Sequence, residues 1–247
     1  MIALASACGA TTPGAETALI VGQVPLVDGE RYVYVLEDVE GDELGHGELV
    51  TRLEGTRFVL EQRYVGIAED GRAAPTDVTE LAVEAATLAP FGALREAVRE
   101  DDDGHEERDL FDWTYTAGEE NDVLAVERES DGDRETNELR LRSNYYDNES
   151  SLWLWRTLDF DEELDLNYVS VNPIERTQQT VNIQTPARET IEVPAGTFEA
   201  WRVIVRNGRA IRSAWINVEA PHQLLQWDNG DLIFRLEEFE IPPTSGD

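Results

Sequence analysis

Between Glu189 and Leu236, three turn signals separate four apolar runs, and this alternation leaves few folds open to the chain. Val193-Pro194-Ala195-Gly196-Thr197 joins the first two runs. Proline pre-sets φ for a type I turn and glycine accepts the left-handed position behind it, so the segment reads as a three-residue hairpin loop. Asn207-Gly208 lies between Trp201–Arg206 and Arg209–Trp215 and reads as the centre of a type I′ turn, in which both central residues have positive φ. Asp228-Asn229-Gly230-Asp231 repeats the device between Leu224–Trp227 and Leu232–Leu236, and Pro221 breaks the chain before that hairpin. Four or more adjacent antiparallel strands are expected.

The rest of the chain continues the pattern. From Asp28-Gly29 onward, Arg31–Leu36, Gly47–Leu53 and Thr56–Val65 are short β-rich runs with turns at Gly41 and Gly55. Val78–Thr87, Leu110–Ala117, Asp122–Glu129 and Arg134–Arg142 add further strands. Pro90–Arg99 differs: Phe91, Leu94, Arg95 and Val98 fall at helical spacing behind Pro90, which predicts a short helix that plugs or caps the sheet. At 247 residues the chain is long for one domain, yet within the range of a single barrel or sandwich. The fold class expected is all-β: an antiparallel meander forming a curved sheet, open barrel or β-sandwich, with at most one or two short helices. The expected organisation is a signal remnant and tether over 1–25, one β domain over 26–241 and a tail over 242–247.

Tyr145–Leu158 reads as a strand apolar on both faces, with Trp153 and Trp155 on one side and Leu154 on the other. Such a strand must be covered twice, by a helix, a second sheet or an apolar ligand. Trp153, Trp155, Trp201 and Trp215 are the candidates to line a concave ligand face, with plain core packing as the alternative. Arg156 is expected to stack on these rings or pair across them, for structure rather than chemistry.

Charge narrows the partners. With 52 acids against 20 bases, all of them Arg, the net charge is -32. Nucleic acid and anionic lipid surfaces both demand clustered cations, so neither is an expected partner. No protein partner is specified. The acid run Glu100–Arg108, with His105 inside it, lacks the alternating ligands and sixth-position glycine of a calcium loop and reads as a solvated loop. No metal and no cofactor are expected.

The start of the chain carries the sole cysteine. Ala5-Ser6-Ala7-Cys8 resembles the lipobox of a bacterial lipoprotein, with Ala5 where leucine is usual. The apolar run before it is short and has no basic segment, so a precursor beginning further upstream is expected. Cys8 is the predicted lipidation site, and Gly9–Gly22 reads as the tether. No other apolar run approaches 18 residues, which leaves membrane contact by lipid anchor only. The expected location is the bacterial cell envelope.

Tyr146-Asp147-Asn148, Ser151–Leu158, Val193–Val203 and Ala214-Trp215-Ile216, in that order, resemble an uncharacterised family of bacterial envelope proteins, the domain of unknown function DUF3108. The likeness covers residues 28 to 240 in layout, with specific matches in the second half; His222, after Ala220-Pro221, departs from the pattern. The resemblance implies a secreted or lipidated β-rich protein and supplies no catalytic residues. No G-x-S-x-G elbow, Walker loop or H-E-x-x-H helix occurs, and His46, His105 and His222 share no recognisable face. A carboxylate-based hydrolase is the enzymatic alternative, but among 52 acids a suitably spaced pair carries no information. The function expected is a non-enzymatic envelope lipoprotein domain that holds a lipid or other apolar ligand. The alternative is an envelope scaffold with a filled core.

Overall fold

The computed structural model describes residues 15–68, 74–101, 104–130, 132–161 and 163–243. Among them the chain forms one sheet of 15 strands. The first half contributes β1 (Arg31–Asp38), β2 (Glu43–Glu54), β3 (Arg57–Gly66), β4 (Thr76–Glu84), β5 (Pro90–Glu100), β6 (Glu106–Thr116), β7 (Val123–Ser130) and β8 (Asp133–Arg140). The second half contributes β9 (Tyr145–Asp147), β10 (Asp165–Asn172), β11 (Thr177–Val193), β12 (Gly196–Asn207), β13 (Ala210–Asn217), β14 (Leu224–Asp228) and β15 (Leu232–Glu240). Two meanders are joined where β1 pairs with β15, giving the order 8-7-6-5-4-3-2-1-15-14-13-12-11-10-9. Every pairing is antiparallel except β9 with β10.

The sheet curls until its two ends face each other across a seam bridged mainly by side chains. Gln178 on β11 accepts from the Arg142 N–H at 2.8 Å and donates to the Arg140 carbonyl at 2.7 Å. Arg176 pairs with Glu135 at 3.0 Å, and the Tyr145 ring stacks on Tyr115 at 5.6 Å. Among the described residues no backbone ladder joins the two ends, so the sheet stays open and the seam rests on a few polar contacts.

After β9 the chain turns inward. Two 3-10 turns, Asn148–Ser150 and Trp155–Thr157, flank the one-turn helix α1 (Ser151–Leu154), and every residue from Ser150 to Leu158 is buried. The expected double-faced strand is therefore a helical plug. Asp147 starts it, its side chain accepting the Glu149 N–H as an N-cap. A segment apolar all round suits the centre of a barrel as well as the centre of a sheet, so hydrophobicity alone did not separate the two.

The helix expected over Pro90–Arg99 is instead strand β5. A bulge opposite Ala82/Val83 shifts the register at Gly92, so Pro90 and Ala93 both point inward while Phe91 and Leu94 point out. That slip of one residue imitates helical spacing. Two turns also differ from expectation. Val193 pairs with Gly196, which leaves a two-residue loop of Pro194 and Ala195. Asn207 pairs with Ala210, so the turn centres on Gly208-Arg209; only Gly208 has positive φ, at 59°, as a type II′ turn requires.

Candidate functional site

The plug is fastened by a buried ion pair. Arg156 Nη1 and Nη2 meet the two Glu30 carboxylate oxygens at 2.7 and 2.9 Å. Tyr32 donates to Glu30 at 2.8 Å, Thr51 does so at 3.0 Å, and Trp153 Nε1 donates to the Thr51 hydroxyl at 2.9 Å. The remaining Arg156 donors reach the carbonyls of His222 and Pro221 at 3.1 and 3.0 Å. This cluster is polar yet saturated, and a saturated buried network fixes geometry rather than offering a reactive group.

A second polar cluster lies where the plug enters. Asp147 accepts from Trp113 Nε1 at 2.7 Å and from the Tyr115 hydroxyl at 2.8 Å. Burial pushes its carboxyl up to about 6, against the lowering effect of these donors. Glu149 accepts from Gln62 and lies 3.6 Å from Arg95, which is itself held in a two-pronged pair with Asp77. Burial raises the Glu149 carboxyl to about 7, with Arg95 opposing the shift. Beside it is a small space of about 230 Å³ that Tyr64, Trp155 and Trp227 also line.

The large opening is at the other end of the plug. There a cavity of about 1010 Å³ lies among the ends of the sheet and the first and last described segments of the chain. Pro25, Val27, Leu158 and Ile241 give it apolar walls, and Trp201 and Phe160 stack within it at 5.6 Å with their planes 8° apart. Arg188, the cross-strand partner of Trp201, lays its guanidinium 4.1 Å from the centre of the indole. His222 completes the polar side, its Nδ1 hydrogen-bonded to the Asn217 carbonyl at 3.0 Å and its ring 5.6 Å from Phe160.

The four tryptophans expected to share one ligand face do not share it. Trp153 and Trp155 belong to the plug and are 1% and 3% exposed, so they fill the barrel; Trp155 borders only the small space beside Glu149. Trp155 packs against Trp227 at 4.7 Å. Trp215 points outward, donating to Glu189 with Arg202 5.7 Å from its ring. Only Trp201 reaches the cavity. Sequence reasoning missed Arg188, Phe160, Glu30, Asp147 and Glu149, of which only Asp147 left a local signal, as a helix cap before Ser150-Ser151.

Cys8 lies outside the described residues. Downstream of it, part of the expected tether docks on the sheet: Ala18 donates to Asn167, Ile20 to the Tyr146 hydroxyl and Gly22 to Thr157. Asp38, Glu40 and Asp42 bring carboxylate atoms within 4.8 Å of one another at the β1–β2 turn. There Asp38 caps the turn by accepting from the backbone of Glu40 and Asp42. Clusters of this kind are common on so acidic a surface, and this one supports no metal assignment. Among the described residues no helix is long and apolar enough to cross a membrane.

Comparison with known proteins places this architecture. The model of the family described as protein of unknown function (DUF3108) matches residues 33–229. The chain belongs to that family. This DUF3108 protein has no match among curated proteins. The crystal structure of a β-barrel-like protein of the domain of unknown function DUF1849 from Brucella abortus superposes with a TM-score of 0.57 at 12% identity, covering 89% of this chain and 100% of the other. That likeness extends to the fold alone. A protein from Parabacteroides distasonis, provisionally described as a lipoprotein, gives a TM-score of 0.33 at 11% identity over 90% of this chain and 99% of its own, and decides nothing further. In the DUF3108 protein the matched span includes Phe160, Arg188, Trp201 and His222, whereas the cavity walls Pro25, Val27 and Ile241 lie outside it.

Proposed function

We propose that this DUF3108 protein is a non-enzymatic, lipid-anchored domain of the bacterial cell envelope that binds an apolar or amphiphilic ligand in the mouth cavity. The observation that carries the reading is a space of about 1010 Å³ walled by apolar side chains and an aromatic pair. Sites for small molecules commonly enclose about 300–1000 Å³ with a few polar groups for orientation, and this mouth has that composition. The proposed site replaces the concave face with one end of the barrel, because the barrel centre is occupied by Trp153, Leu154 and Trp155. The buried carboxylates carry no hydrolytic proposal: Asp147 is engaged with Trp113 and Tyr115, and Glu149 with Gln62 and Arg95.

The packed centre also favours a second reading, an envelope scaffold with no ligand. Protein purified natively from its bacterial host decides between them. Mass spectrometry of the organic extract is expected to show a retained lipid, and extraction is expected to lower Tm, with recovery on adding lipid back. An empty extract and an unchanged Tm would leave the scaffold reading. Anchoring is checked separately: Cys8→Ser, expressed with a complete signal, should move from membranes to the soluble fraction, because acyl chains contribute about 0.8 kcal/mol per buried methylene.

A further inference from the structure

Resting on the mouth cavity as a ligand site, we infer that its occupant is a single-chain amphiphile with a carboxylate head, which Arg188 recognises. On a chain with 52 acids and 20 bases many cations find carboxylates, Arg156, Arg95, Arg52 and Arg235 among them, while Arg57 and Arg202 lie near aromatic rings. Arg188 is of this second kind. Among the described residues its guanidinium makes no ion pair and no hydrogen bond, and it lies on Trp201.

A guanidinium stacked on an indole spends its flat face on the ring, while its five N–H donors radiate in its own plane. Those donors match the two oxygens of a carboxylate in a two-pronged contact, which a neutral or cationic head cannot accept. The cavity wall also carries two acids, Asp159 and Asp161. Asp161 caps the backbone of Glu163 at 3.2 Å, and Asp159 packs against Gly22, where an added Cβ would lie 2.2 Å from its Oδ1. Neither pairs with Arg188. Trp201 and Phe160 line the same cavity as Arg188, Leu158 and Ile241, so head and chain sites share one space. The net charge of -32 acts against any anion at long range. Its reach is about 8 Å at physiological salt, however, and a contact pair is made within it.

The experiment is a titration of the full chain, followed by calorimetry and tryptophan emission, with three probes of equal chain length below their micelle concentrations: dodecanoate, dodecanol and dodecyltrimethylammonium. Dodecanoate is expected to bind about tenfold tighter than dodecanol, the margin that one charge-assisted contact supplies, with the ammonium weakest. Arg188→Gln alters an exposed side chain and should keep the parent Tm. It should bring dodecanoate down to the dodecanol affinity and leave dodecanol unchanged. Equal affinity for all three probes, a preference for the ammonium, or a carboxylate preference that survives in Arg188→Gln would overturn the head-group assignment while leaving an apolar site standing. No binding of any probe would overturn the cavity reading itself.

Discussion

Arg156 and Glu30, 126 residues apart in the chain, form a two-pronged ion pair in which the side chains are 2% and 0% exposed. One residue belongs to the plug and the other to the segment leading into β1, so the pair ties the filling of the barrel to its wall. Removing one partner strands a buried charge, which typically costs about 3–5 kcal/mol, whereas replacing both by apolar groups is often near neutral. Glu30→Gln and Arg156→Met should each lower stability by several kcal/mol, and Glu30→Leu with Arg156→Met should recover most of the loss. Urea denaturation of the three variants measures this; additive losses in the double variant would show that the pair is not the unit.

Glu149 predicts a pH dependence with a definite sign. Its carboxyl is raised from 4.5 to about 7 in the folded chain, so between these values the native state holds more protons than the unfolded state. The contribution of Glu149 to stability is therefore fullest below pH 4.5 and declines as pH rises toward 7, with Asp147 acting in the same direction toward its value of about 6. Glu149→Gln cannot ionise and keeps an acceptor for Gln62. Its melting temperature should fall less steeply across that window and exceed the parent's above pH 7 by the equivalent of ~1–2 kcal/mol. Parent and Glu149→Gln curves that run parallel through the window would contradict the raised value of this carboxyl.

The tryptophans separate by position. Trp153 fills the centre of the barrel and donates to Thr51, so Trp153→Ala should cost about 3–5 kcal/mol through the cavity it opens. Trp215 lies on the outer face, and Trp215→Ala should cost less than about 1 kcal/mol. Thermal melts of the two proteins test this separation directly, since four tryptophans lining one shared ligand face would make the two losses similar.

Gly208 sits at φ 59° at the first central position of the β12–β13 turn, with no atom within 4 Å of where a Cβ would stand. The loss in Gly208→Val is therefore one of backbone conformation, not of collision, and should amount to about 1–2 kcal/mol. Asn207 lies outside the two-residue loop and needs no positive φ, so Asn207→Gly should change Tm little. Equal Tm for Gly208→Val and the parent would mean that the turn rearranges.

What the sequence by itself determined is the meander. Paired turn residues and alternating apolar positions are local, so the end of β11 with β12 to β15, β1 to β4 and β6 to β8 were legible as an all-β antiparallel chain, as was the left-handed place of Gly208. Local patterns failed where another layer set the period. The bulge at Gly92 made a strand look helical, and the enclosure of Trp153–Trp155 made a helix look like a doubly covered strand. Only the tertiary structure decided which tryptophan meets a cavity, because inward and outward faces of a curled sheet depend on which end of each strand reaches the mouth. The register of the β11–β12 hairpin sets Arg188 on Trp201, but the tertiary structure alone brought Glu30 to Arg156, 126 residues away. Pairings between residues so far apart in the chain are fixed by how the sheet closes around its plug, and no spacing along the chain encodes that closure.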